Sequence, residues 1–126
     1  MESLVGKYGA VCFALPLDKE DADWVNGVNQ GIGHQGIIGR VIEDDGNIIT
    51  FYCPSRTMKF LKKDFTVYET PYVTWGDHVF ITAKNTEATI YALAWHYKRK
   101  EYMYLLQLPS GKKLTKRYFK GEFEKI

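Results

Sequence analysis

Three histidines, two cysteines and one glycine motif are the residues of this chain whose types and spacing could do chemistry. His34, His78 and His96 stand far apart, and none lies at metal-ligand spacing from a cysteine or a second histidine. His78 follows Asp77, but neighbours on a strand point to opposite faces, so no acid–base pair is expected there. Cys12 and Cys53 form no C-x-x-C and have no basic residue beside them, so each reads as a small buried hydrophobe. Gly31, Gly33 and Gly36 spell G-x-G-x-x-G within QGIGHQGIIGR. A dinucleotide loop needs a strand before it, a helix after it and an acid roughly 20 residues on. Here a polar, helix-like stretch precedes the motif, a β-like one follows, and NIITFYC holds no acid. Gly31–Gly36 therefore reads as a flexible connector. Asp18, Glu20, Asp21 and Asp23 lack the glycine and final glutamate of a calcium loop, and read as a solvated acidic face. No G-x-S-x-G, S-x-x-K or H-E-x-x-H occurs. The chain is expected to be no enzyme, and to hold no metal and no cofactor.

Binding chemistry is better represented. In the stretch WHYKRKEYMYLL and the strand before it, alternation puts Tyr91, Leu93, Trp95 and Tyr97 on one face. Ile90, Ala92, Ala94 and His96 take the other. Tyr102 and Tyr104 alternate on the returning strand, and Tyr118 lies further on. A two-stranded ribbon cannot bury both faces in a small domain, so part of this set is expected at the surface. Beside Lys98, exposed rings and cations would serve base stacking with phosphate contacts, or a protein interface anchored by aromatics and Arg. The expected binding residues are Trp95, Tyr97, Arg99, Lys100, Tyr102, Tyr104, Lys116, Arg117 and Tyr118. Charge points the same way. The formal net charge is +2, yet residues 1–70 carry seven Lys/Arg against ten Asp/Glu, a net −3, and residues 84–126 carry ten against four, a net +6. The C-terminal half is suited to an anionic partner.

The elements that would position these residues are mostly strands. Aromatics make up 15% of the 126 residues, among many Val, Ile and Thr, which favours sheet. Strands are expected at 7–15, 36–43, 47–53 and 58–69, then at 76–82, 88–97, 102–108, 112–119 and 121–126. Asp18 is placed to cap a short helix over 18–29. Asp-Gly at 45–46 marks a hairpin. CPSRTMKFLKKDFTVYE and LPSGKKLTKRYFKGEFEKI run in parallel: an apolar residue, Pro-Ser, a basic strand, an acid-Phe step and a short final strand. Two copies of one small β unit follow, residues 1–70 with an insertion at 16–35, and residues 71–126.

On Gly76-Asp77-x-Val79-x-Ile81, Ala88-x-Ile90, the Lys98–Glu101 hairpin and KRYFKGEFEKI, the second half resembles an SH3-like or Tudor-like barrel. The first half looks like the same barrel with its insertion, so the resemblance implies an all-β fold of two small barrels in tandem. Lys7-Tyr8-Gly9, Asp23-Trp24-Val25 and Gly39-Arg40-Val41 also resemble the KYG…DWV…GRV pattern of a family of small uncharacterised bacterial proteins, which implies no activity. A Tudor-like cage for a methylated cation is disfavoured by the basic surround. The expected function is non-catalytic protein binding, of the kind shown by bacterial immunity or adaptor proteins. Nucleic-acid binding through the basic aromatic second half is the alternative. Two thiols without a disulfide framework, no secretory signal and no membrane-spanning run point to the cytoplasm.

Overall fold

The computed structural model describes every residue except Met1, Cys12, Phe13, Gly33–Gly36 and Ser55, and leaves aside the side chains of residues 26–32 and 37. The chain forms two compact units, Met1–Thr70 and Pro71–Ile126. It is mainly β, with one α-helix.

The N-terminal unit holds β1 (Tyr8–Val11), α1 (Lys19–Ile32), β2 (Ile37–Asp44), β3 (Ile48–Cys53), β4 (Arg56–Leu61) and β5 (Thr66–Tyr68). The C-terminal unit holds β6 (His78–Ile81), β7 (Thr86–His96), β8 (Glu101–Gln107), β9 (Lys113–Tyr118) and β10 (Phe123–Lys125). Each unit is one antiparallel five-stranded sheet, in the orders β4-β3-β2-β1-β5 and β10-β6-β7-β8-β9. These are the same order: a four-strand meander whose short fifth strand returns to pair with the first.

The correspondence reaches single hydrogen bonds. In the N-terminal unit the Gly6 N–H donates to the Val41 carbonyl, and the Val41 N–H donates back to Lys7. In the C-terminal unit Gly76 donates to Ile90, and Ile90 donates back to Asp77. Gly6 and Gly76 sit at φ +87° and +85°, the left-handed region that a side chain would strain. One residue past each contact the second strand bulges, between Val41 and Glu43 and between Ile90 and Ala92.

The sheets differ from the expected closed barrels. No ladder joins β4 to β5 or β9 to β10, because each closing strand has three residues and hydrogen bonds only to the first strand of its sheet. The helix is longer than expected and takes in Gly31, so the connector reading fails for that residue; Gly33, His34 and Gly36 lie outside the described residues. Asp18 starts the helix as foreseen, its Oδ1 accepting the Glu20 N–H at 2.9 Å. Val25 then enters a core with Val11, Val41, Ile49, Phe51, Cys53, Met58 and Phe60. At Gly39 the Phe51 ring occupies the space of a Cβ, 2.2 Å from its ideal position.

Candidate binding surfaces of the C-terminal unit

The bulge in β7 decides which aromatic rings are available. Before it Ala88 and Ile90 are buried; after it the buried residues are Leu93 and Trp95. One inserted residue switches the inward parity of the strand. The stripe Tyr91–Leu93–Trp95–Tyr97 therefore does not share one environment. Tyr91 is half-buried beneath the Lys113 ammonium, 4.9 Å from the ring centroid.

Four of the five rings expected to bind are core. Trp95, Tyr102, Tyr104 and Tyr118 are at most 9% exposed. Trp95 and Tyr102 face each other across β7 and β8, edge to face at 5.0 Å. Tyr104 meets Phe123 edge to face at 5.2 Å, and its hydroxyl accepts the Tyr72 N–H at 3.0 Å. Edge-to-face pairs of this kind add to the area the rings bury. These rings hold the unit together and offer no stacking surface; Tyr97 alone of the five is exposed.

The cations lie outside. Arg99, Lys100, Lys116 and Arg117 are all exposed. The β7–β8 turn is tight: the Lys100 N–H donates to the His96 carbonyl at 2.7 Å, and Lys100 takes a left-handed φ of 53°. The Arg99 N–H donates to His96 Nδ1 at 3.1 Å, which requires the Nε2–H tautomer. The Arg99 guanidinium lies 3.7 Å over the Phe119 ring while its Nε donates to Glu101 at 3.0 Å. Glu122 fixes the loop carrying Phe119, accepting the Phe119 N–H and the Lys116 ammonium, each at 2.9 Å. The Lys116 hydrogen bond, then the Phe119 one, holds the Glu122 carboxyl below its usual range, and Glu122 in turn raises Lys116. Sequence reasoning missed Phe119, Glu101 and Glu122 as the residues that order these cations. The acid-Phe step was visible, but not what the acid would hold.

A second basic feature lies along β9. Lys84, Lys112, Lys113 and Lys116 line one groove of about 370 Å³, with Leu114, Thr115 and Tyr118. Of these lysines only Lys116 had been expected to bind.

The N-terminal unit handles its charges differently. Lys62 pairs with Asp44 at 2.8 Å, with side chains 13% and 1% exposed. The lysine, together with the Leu4 and Gly46 N–H groups, holds the Asp44 carboxyl at about 2. Arg56 pairs with Asp21 of α1 and lies 4.8 Å over the Trp24 ring. Asp18 and Asp21, from the stretch read as a solvated acidic face, are thus occupied by the helix cap and by Arg56. Burial pushes the Cys53 thiol up to about 11, and nearby Arg56 offsets this only in part. The thiol is protonated at neutral pH and a poor nucleophile. Cys12 and His34 lie outside the described residues. Asp77 accepts the Thr74 N–H at 2.9 Å, and exposed His78 stands on the strand that follows.

Among the described residues no three His, Cys, Asp or Glu side chains gather as metal ligands, and no helix is long and apolar enough to cross a membrane. No protein-family model, curated protein or solved structure matches the chain.

Proposed function

We propose that the chain is a non-catalytic protein-binding module of two SH3-like units, and that the C-terminal unit meets an anionic partner protein through its ordered surface cations. The strand order shared by both sheets supports the SH3-like assignment. The observation that carries the binding role is the arrangement of Arg99. It is exposed yet already held by Phe119 and Glu101, so little side-chain freedom is lost when a partner docks. Pre-ordered arginine beside exposed Tyr97 is the residue chemistry that anchors protein interfaces. Burial of Trp95, Tyr102, Tyr104 and Tyr118 favours a protein partner over single-stranded nucleic acid, whose binding draws on stacked bases. A role as a bacterial immunity or adaptor protein fits this module and rests on the analogy of type alone.

The test is capture from nuclease-treated lysate of the native host with the tagged chain and with Arg99→Glu/Arg117→Glu. A protein held by the first and lost by the second, with unchanged circular dichroism, supports the reading. Equal capture by both overturns it. Nucleic acid recovered without nuclease, with no protein surviving treatment, moves the function to nucleic-acid binding.

A further inference from the structure

The groove along β9 is lined by four lysines that the ordered cations at the β7–β8 turn do not explain. Lys84 comes from the 3-10 turn Thr82–Lys84, and Lys112, Lys113 and Lys116 come from the β9 region. Lys116 is paired with Glu122, and Lys113 lies over Tyr91. Among the described residues Lys84 and Lys112 enter no ion pair. Like charges so placed repel one another, and an anion in the groove relieves that repulsion.

We infer that this groove binds an extended acidic segment of a partner protein, its carboxylates meeting Lys84 and Lys112. The inference rests on the reading of the C-terminal unit as a protein-binding module and names the chemistry of the partner. Three features select this ligand. Leu114 and Tyr118 are buried in the groove wall, so no ring is open to a base. The charges are lysines, compact and flexible point charges that can each meet a single carboxylate without a fixed bidentate geometry. An extended peptide repeats its side chains on one face about every 7 Å, so alternate acidic residues turn their carboxylates toward the same wall. Recognition runs through side chains rather than by strand addition. Opposite Leu106, β9 places three residues, Leu114, Thr115 and Lys116, and a bulged, lysine-bearing edge resists an added strand.

The experiment is fluorescence anisotropy on the full chain at physiological ionic strength. The probes are a labelled peptide of alternating Asp and Ser and an oligothymidylate of matched length. The peptide should bind saturably, and Lys84→Glu/Lys112→Glu should weaken it about tenfold. Arg99→Ala, which removes one charge outside the groove lining, should weaken peptide binding less than Lys84→Glu/Lys112→Glu does. Absent peptide binding, binding unmoved by Lys84→Glu/Lys112→Glu, or tighter binding of the oligothymidylate each overturns the inference. Lost peptide binding with intact lysate capture rejects the groove alone. A parent chain that binds the peptide but captures no protein from lysate rejects only the wider reading.

Discussion

The N-terminal and C-terminal units are two solutions to one frame. Both begin with a left-handed glycine tied to the second strand, bulge at the next residue, and return a three-residue strand to the first. They diverge in how the core is filled and where charge is used. The N-terminal unit inserts α1 after β1 and fills its core with aliphatic residues and phenylalanines. Its ion pairs, Lys62–Asp44 and Arg56–Asp21, are at least partly sheltered and tie distant segments together. The C-terminal unit has no insertion, packs tyrosine and tryptophan, and keeps its pairs, Arg99–Glu101 and Lys116–Glu122, in solvent. The frame is set by backbone hydrogen bonds and glycines, so side-chain charge is free to serve fold in one copy and surface in the other.

The sharpest way to break the comparison is at the pairing of first and last strands. Gly9 pairs with Val67 in one unit, and Val79 pairs with Lys125 at the matching position of the other. Val79 is fully buried without strain on the frame, whereas a Cβ on Gly9 would stand 1.9 Å from the Thr66 carbonyl oxygen. That neighbour is backbone and cannot swing away. Gly9→Ala should cost about 3 kcal/mol, at the upper end of overpacking. Amide exchange should quicken through β1 and β5 and stay unchanged through β6 and β10. Equal protection in both sheets would show that β5 gives way cheaply.

A smaller effect probes the sheltered pair of the N-terminal unit by pH. Asp44 has its carboxyl lowered from 3.8 to about 2, so its contribution is fully present above pH 3.8 and is lost as pH falls toward 2. In Asp44→Asn this part of the acid dependence should vanish, and β2–β3 amides should lose protection at neutral pH. Denaturant midpoints measured down through that window test it; a variant retaining the same acid slope refutes the role given to Asp44.

Much of this frame was legible in the sequence because it is local. Asp45-Gly46 sets a hairpin by its own side-chain and backbone chemistry, Asp45 Oδ1 accepting the Asn47 and Ile48 N–H groups. Asp18 marks a helix start, and the paired Pro-Ser and acid-Phe steps marked the repeat. What was not legible depended on long-range pairing. Strict alternation along 88–97 fails at one inserted residue that only the register with β8 reveals, and with it failed the exposure of Trp95 and its neighbours. Arg99 over Phe119 joins residues far apart in sequence, and Lys84 beside Lys112 does the same. Composition announced the positive charge, but not which cations are ordered and which line a groove.

The smallest effect tests whether the C-terminal charges are truly surplus to the fold. Arg99 is half exposed at its side chain, and its pair with Glu101 lies in solvent. Exposed pairs contribute little, and an exposed cation over the half-buried Phe119 ring adds a similar amount, so Arg99→Ala should cost about 1 kcal/mol or less. Its denaturation midpoint should sit close to that of the parent chain, far above that of Gly9→Ala. Capture of the partner protein should nonetheless fall. A small stability change with a large binding change would assign Arg99 to the surface role. A loss of stability approaching that of Gly9→Ala would mean that Phe119, and the loop that Glu122 fixes, need the guanidinium to fold; the two units would then use charge in the same way.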